Sequence, residues 1–142
     1  MSGLAGDGAE HDPCYTGWFR CFNEGMYYEA HDVLEHLWLR TRDENHLFFK
    51  GLIQLAGAFV HLQKQHLRPW HAKDGRRLRP AARLLALALA NLSPYRPRHM
   101  ALDVAAVCAF AGEWLGAVER GNFAENPWRP DALPEILLTH GS

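Results

Sequence analysis

The chain has 142 residues, enough for one domain with a substantial hydrophobic core, and its content of 48% hydrophobic and 22% charged residues is typical of a globular protein. Its net charge of −1 excludes a whole-molecule field that would draw the protein to a polyanion or to an anionic membrane. The longest apolar runs, 51–62 and 84–90, are too short to cross a bilayer, so no membrane partner is expected.

The first segment, MSGLAGDGAEHDP, is rich in glycine and acidic residues and has neither a basic start nor an apolar stretch. We therefore expect a disordered segment over 1–12 rather than a signal peptide. The three cysteines, Cys14, Cys21 and Cys108, follow no CxxC or CxxH spacing. Unpaired cysteines are typical of a reducing compartment, which favours a cytoplasmic protein.

Helical periodicity dominates the rest of the chain, and regular strand alternation is absent. The pattern predicts five helices, over 13–24, 26–42, 44–67, 72–92 and 103–121. Asp12 and Pro13 are start signals for the first helix, and Asp103 is a cap for the fifth. Gly75 and Pro80 weaken the first turns of the fourth helix, which can therefore start late or kink. The segment 93–99 is predicted to be a loop.

These helices predict an all-α fold, in which a single compact multihelical bundle of about five helices occupies 13–121. The remaining residues, 122–142, are punctuated by prolines but keep apolar side chains such as Trp128 and Ile136. We expect this proline-rich tail to lie extended across the bundle.

The second predicted helix carries histidine and carboxylate side chains on a face that otherwise looks buried. At about 100° per residue, His31 lies beside the apolar face formed around Leu34, and Glu35 follows one turn later. Asp32 and His36 fall on the remaining arc, where an exposed i, i+4 pair is expected. His31 and Glu35 are therefore predicted to lie at the edge of the core.

The third predicted helix is apolar almost all round, as expected of a central helix. Its polar residues form one stripe that includes Gln54, His61 and Lys64. The small residues Gly51 and Gly57 lie beside the stripe and leave room either for a neighbouring helix or for a ligand.

An antiparallel pairing of the second and third helices would bring the two polar sets together. With a turn near Asp43, Glu35 lies level with Gln54, and His61 lies near Tyr28. The sequence therefore predicts one pocket, lined by Tyr28, His31, Glu35, Gln54 and His61.

The pocket has two functional interpretations. In the first, His31, Glu35 and His61 ligate a divalent metal, because imidazole and carboxylate groups are common metal ligands. In the second, His31 and Glu35 are catalytic residues of a hydrolase-like reaction, with Glu35 as the general base.

A small polar ligand would in either case be bound by Tyr28, Gln54 and Trp38. The structural alternative is a buried hydrogen-bonded network within a non-catalytic structural or protein-interaction module. The sequence leaves open which interpretation holds, and also whether the chain forms a homo-oligomer.

A second candidate site is basic. Arg76, Arg77 and Arg79 follow a loop that contains Trp70, and such a segment suits phosphate or single-stranded nucleic acid. The alternative is that the arginine stems cover the outer face of the fourth helix. The near-zero net charge and the absence of a known nucleic-acid motif disfavour nucleic acid as a partner.

Two motifs of this chain resemble those of a known family. FNEGMYYEAHDVLEHLWL over 22–39, followed by FFKGLIQLAGAFVHLQK over 48–64, is similar to the domain of unknown function 309 family of small bacterial and archaeal proteins. The matching positions are Glu29, His31, Asp32, Glu35, Trp38, Gly51, Gln54 and His61.

The resemblance extends over about 22–115 and implies a compact multihelical bundle. It implies no particular activity, cofactor or partner, although a family pattern built around these polar residues favours a functional site over a purely structural network. The loop 68–80 and the proline-rich tail depart from the family pattern.

Overall fold

The computed structural model describes residues 11–139 of the chain; residues 1–10 of the predicted disordered segment and residues 140–142 of the predicted tail lie outside them. Within the described part, five α-helices are formed: α1 (Pro13–Asn23), α2 (Tyr27–Leu39), α3 (His46–Leu67), α4 (Leu78–Leu92) and α5 (Val104–Arg120). A 3₁₀ turn at Ser93–Tyr95 and a two-stranded antiparallel hairpin, β1 (Arg98–His99) with β2 (Leu102–Asp103), join α4 to α5. The all-α prediction is confirmed, and the small hairpin is an addition that the sequence pattern did not indicate.

Side-chain caps fix the starts of the first and last helices. The Asp12 carboxylate accepts a hydrogen bond from the Cys14 backbone N–H at 2.7 Å, and Pro13 occupies the first helical position, where a missing N–H costs nothing. Asp103 accepts from the Ala106 N–H at 3.0 Å in the same way. Both starts therefore follow from signals that are visible in the sequence.

The fourth helix begins at Leu78, later than the predicted start at residue 72. Pro80 explains the difference, because its ring would clash with the carbonyl of residue 76 if the helix extended through this point. At its observed position Pro80 lies in the first turn of α4, where its missing N–H is tolerated. The segment 68–77 is consequently a loop rather than a helical turn.

The central helix of the bundle is α3, which packs against α2 on one side and α4 on the other. Its buried residues run from Phe48 to Leu62. A Cβ added at Gly51 would lie 2.8 Å from Cγ of Leu92, so α4 approaches the α3 backbone closely at this level. No helix within 11–139 is both long and apolar enough to span a membrane.

Residues 122–139 cross the bundle without forming a helix or a strand. Trp128 is buried, and its indole N–H donates to the Tyr27 hydroxyl at 3.0 Å. Ile136 is also buried, and its backbone exchanges two hydrogen bonds with the Asn23 side chain, at 2.7 and 3.0 Å. These contacts attach this segment to the ends of α1 and α2.

Candidate functional site

A cavity of about 240 Å³ lies between α2, α3 and α4. Three of the five residues predicted to converge, Tyr28, His31 and His61, line it. The complete wall consists of Tyr28, His31, Gly57, Val60, His61, Lys64, Arg77 and Leu84. The antiparallel arrangement of α2 and α3 thus places part of the two polar stripes around one space.

The other two predicted members, Glu35 and Gln54, are not part of this wall. Gln54 instead accepts a hydrogen bond from the Asn91 side chain of α4 at 2.8 Å. This contact is made because Gly51, one turn earlier on α3, lets α4 come close. Glu35 is half-buried on α2. Two of the five residues that were predicted to converge therefore lie outside this wall.

Trp38, predicted to bind a ligand, lies near the turn between α2 and α3 rather than in the cavity wall. Its ring stacks on that of His46, with 5.0 Å between the centroids, and the Lys50 ammonium lies 5.3 Å from the Trp38 ring centroid. These contacts give Trp38 a packing role at the start of α3.

The predicted metal site of His31, Glu35 and His61 is not assembled. Within residues 11–139, no three side chains of His, Cys, Asp or Glu are placed to hold one metal ion. A second obstacle is Arg77, whose Nη1 lies 3.0 Å from Nδ1 of His61. A guanidinium only donates, so Nδ1 must accept, and the ring proton of a neutral His61 lies on Nε2. Neither ring nitrogen then has a free lone pair for a metal.

The charge state of His61 is set by its surroundings. Burial, together with the positive charges of Arg77, Lys64 and Arg83, lowers the pKa of His61 to about 4. The imidazole is therefore neutral at pH 7 and has one free N–H donor, at Nε2. In this state His61 can donate a hydrogen bond to a ligand but cannot remove a proton from one.

Arg77 is held in place from two directions. Its side chain donates from Nε to the Asp74 carboxylate at 2.9 Å, and its backbone N–H donates to the Gln65 side chain at 2.6 Å. The hydrogen bond from Arg77 is the main reason that the pKa of Asp74 lies below its ordinary value. Arg68 also donates to Asp74, at 3.1 Å. The loop 68–77 therefore fixes the guanidinium against His61.

Lys64 places an ammonium group at the cavity wall, and this group has no ion-pair partner among residues 11–139. Lys64 lies three residues after His61, so both side chains project from the same side of α3. Its side chain is exposed. The wall of the cavity contains no carboxylate, so the charged groups that border it, Lys64 and Arg77, are both cations.

The predicted basic patch is divided between two places. Arg77 is turned inward and its side chain is only 12% exposed. Arg76 and Arg79 instead border a second cavity, of about 250 Å³, and the Arg79 guanidinium lies 4.2 Å from the Phe123 ring centroid. The three arginines therefore do not form one continuous surface for nucleic acid.

Lys64 and Arg77 line the cavity, although the sequence pattern predicted neither residue as part of the pocket. The spacing of three between His61 and Lys64 was an available signal, because it places both on one helix face. The approach of Arg77 depends on the fold of the loop 68–77, and no spacing rule connects residue 77 with residue 61. Asp74 and Leu84 likewise reach the site only through tertiary packing.

Residues 16–72 of the chain match the family model described as a domain of unknown function (DUF309). This segment is therefore similar to the DUF309 family. It contains α2, α3 and most of α1, and therefore the cavity residues from Tyr28 to Lys64. Arg77 and Leu84 lie beyond the DUF309 match, which ends at residue 72 and not near residue 115 as the resemblance predicted. Neither a curated protein nor a solved structure was found to match the chain.

Proposed function

We propose that the cavity between α2, α3 and α4 binds a small anionic ligand. The observation that supports this proposal is the composition of the wall, in which Lys64 and Arg77 are cations, His61 is a neutral donor, and no carboxylate is present. Such a wall attracts an anion and repels a metal cation. Charge-assisted hydrogen bonds to an oxyanion are also stronger than neutral ones.

Four residues of the wall have distinct roles in this proposal. Lys64 provides the unpaired charge, and Nε2 of His61 provides a fixed N–H donor. Arg77 adds to the positive potential and holds His61 in the donating tautomer. Tyr28 is 65% exposed, so its hydroxyl lies at the rim, with its ring nearly parallel to that of His31.

Binding has more support than a hydrolase-like reaction. Glu35, the residue assigned as general base, is not in the cavity wall. Of the two residues assigned catalytic roles only His31 lines the cavity, and His61 offers no further base, because one ring nitrogen is protonated and the other accepts from Arg77. A general base needs a free lone pair within reach of the substrate.

The proposal is tested by isothermal titration calorimetry of the full chain with sodium acetate and with sodium phosphate at low ionic strength. We expect saturable binding that weakens as salt is added. Lys64→Gln should weaken it about tenfold, the usual effect of losing one charge-assisted hydrogen bond. Lys50→Gln is the matched control, because it removes the same charge from the same helix at Trp38, outside the cavity.

Equal affinities of the wild type and Lys64→Gln, or no saturable binding of either anion, would contradict the proposal. Those results would favour the second candidate, a non-catalytic structural or interaction module. That candidate is supported by the hydrogen bonds of Gln54 with Asn91 and of His61 with Arg77, which satisfy polar groups within the protein itself.

A further inference from the structure

We infer that the ligand of this cavity is a small carboxylate with a compact apolar body, an inference that rests on the proposed function. The inference comes from two features of the cavity, its division into a polar and an apolar end and the single unpaired charge of its wall.

The polar and apolar groups of the wall lie at different levels along α3. His61 and Lys64 lie on the C-terminal side of Gly57, and Arg77 contacts His61. At the other end, a Cβ added to Gly57 would lie 3.2 Å from Cδ1 of Leu84 and 3.9 Å from Cδ2 of His31. Gly57, Val60 and Leu84 therefore form a narrow apolar end of the wall, about 6 Å, or one helical turn, from the donors of His61.

The single unpaired charge suits a carboxylate better than a phosphate. Arg77 uses Nε and Nη2 on Asp74 and Nη1 on His61, so its guanidinium is largely occupied. Lys64 is then the one charged group of the wall that has no ion-pair partner, and it lies one turn from the Nε2 donor of His61. A carboxylate has two oxygens and one charge, whereas a phosphate monoester carries up to two charges and three acceptor oxygens.

The cavity volume limits the size of the apolar body. At about 240 Å³ it lies below the range of sites for drug-sized molecules, so it suits a ligand of one ring or a short branched chain. Placing that body over Gly57 and against Leu84 removes apolar surface from water, which adds affinity that a purely polar anion would lack.

Four probes test the inference on the full chain by NMR titration and calorimetry: benzoate, acetate, inorganic phosphate and benzyl alcohol. We expect benzoate to bind about tenfold more tightly than acetate or phosphate. Its resonance shifts should centre on Gly57, Leu84 and His61. Benzyl alcohol, which has the ring but no charge, should bind at least tenfold more weakly than benzoate.

The Gly57→Ala variant tests where the apolar body lies. The added methyl group narrows the apolar end of the cavity beside Leu84, so benzoate affinity should fall about tenfold and acetate affinity should fall less. The melting temperature should not fall substantially, because alanine favours the helix and Leu84 is only half-buried. Gly112→Ala is the control, since a Cβ there meets nothing within 4 Å, and it should leave benzoate affinity unchanged.

The outcomes separate this inference from the proposed function. If benzoate binds no better than acetate, or if phosphate binds best, the inference is overturned and anion binding stands. If Gly57→Ala leaves benzoate affinity unchanged, the inference is also overturned. If none of the anions binds, or if benzyl alcohol binds as tightly as benzoate, the proposed function falls together with the inference.

Discussion

The contact of Arg77 with His61 determines the chemistry of the cavity at the scale of single residues. Because a guanidinium cannot accept a hydrogen bond, it selects the His61 tautomer that is protonated on Nε2. Its charge also opposes protonation of the ring, in the same direction as burial. A histidine that in isolation would suit metal binding or proton transfer is in this way converted into a fixed hydrogen-bond donor.

The depressed pKa of His61 predicts a dependence of stability on pH. The folded chain has a pKa of about 4 at this site, against an ordinary value of 6.5 in the unfolded chain. Between these values the unfolded chain binds more protons, so the free energy of unfolding falls as the pH is lowered from 6.5 towards 4. We expect a contribution of about 1 kcal/mol for this half-exposed group, measured by urea unfolding at pH 7 and pH 5.

His61→Gln should reduce that pH dependence, because glutamine does not titrate. His36→Gln is the control, because it replaces an exposed histidine of α2 that lies outside the cavity. An identical pH dependence in the wild type and His61→Gln would refute the assigned environment of His61. Part of the slope should persist in His61→Gln, because burial also lowers the pKa of His99.

At the scale of the elements, the two glycines of α3 show how far the sequence determines the site. The sequence indicated that Gly51 and Gly57 lie beside the polar stripe and left open whether a helix or a ligand occupies the space. In the structure Leu92 of α4 closes the space at Gly51, whereas Gly57 and Leu84 of α4 both border the cavity. Composition and periodicity cannot predict which of the two glycines borders a cavity, because that depends on how α4 crosses α3.

The difference between local signals and long-range contacts explains which parts of the fold could be predicted from the sequence. Caps at Asp12 and Asp103 and the ring of Pro80 act locally, so they determine helix ends within a few residues of sequence. The pairing of Gln54 with Asn91 and the position of Arg77 depend on contacts between distant segments. The pattern of each helix therefore predicts the bundle and places Tyr28, His31 and His61 together, but it does not predict that Arg77 and Leu84 close the cavity.

Close packing of α3 on α4 predicts that Gly51→Ala destabilises the protein. Its Cβ would come within 3 Å of buried Leu92, which has no room to move, so we expect a loss of about 1–3 kcal/mol in the free energy of unfolding. Gly112→Ala, in open space on α5, should instead gain up to about 1 kcal/mol. Chemical denaturation of both variants measures the difference. A Gly51→Ala variant as stable as the wild type would contradict the close approach of α4 to the α3 backbone at Gly51.

At the scale of the whole molecule, the segment after α5 takes part in the core. Trp128 packs edge-on against Tyr27, with 6.1 Å between the ring centroids, and donates a hydrogen bond to its hydroxyl. Tyr27 lies next to Tyr28 at the start of α2. The C-terminal segment therefore supports the end of α2 that contributes the rim of the cavity.

This contact predicts that Trp128→Ala costs about 3 kcal/mol, from lost burial and an unfilled cavity. Trp70→Ala is the control, because Trp70 is 75% exposed and its removal should change the free energy of unfolding by less than about 0.5 kcal/mol. Urea denaturation compares the two variants. Similar stabilities of both would show that the C-terminal segment does not support the bundle.

The central claim, that a cavity bordered by cations binds a small anion, is tested most directly by an NMR titration of the ¹⁵N-labelled full chain with sodium acetate. We expect saturating shifts of the Gly57, His61 and Lys64 amides, while amides on α5 stay unchanged. Shifts that rise linearly without saturation, or that spread evenly over the surface of the bundle, would contradict the claim.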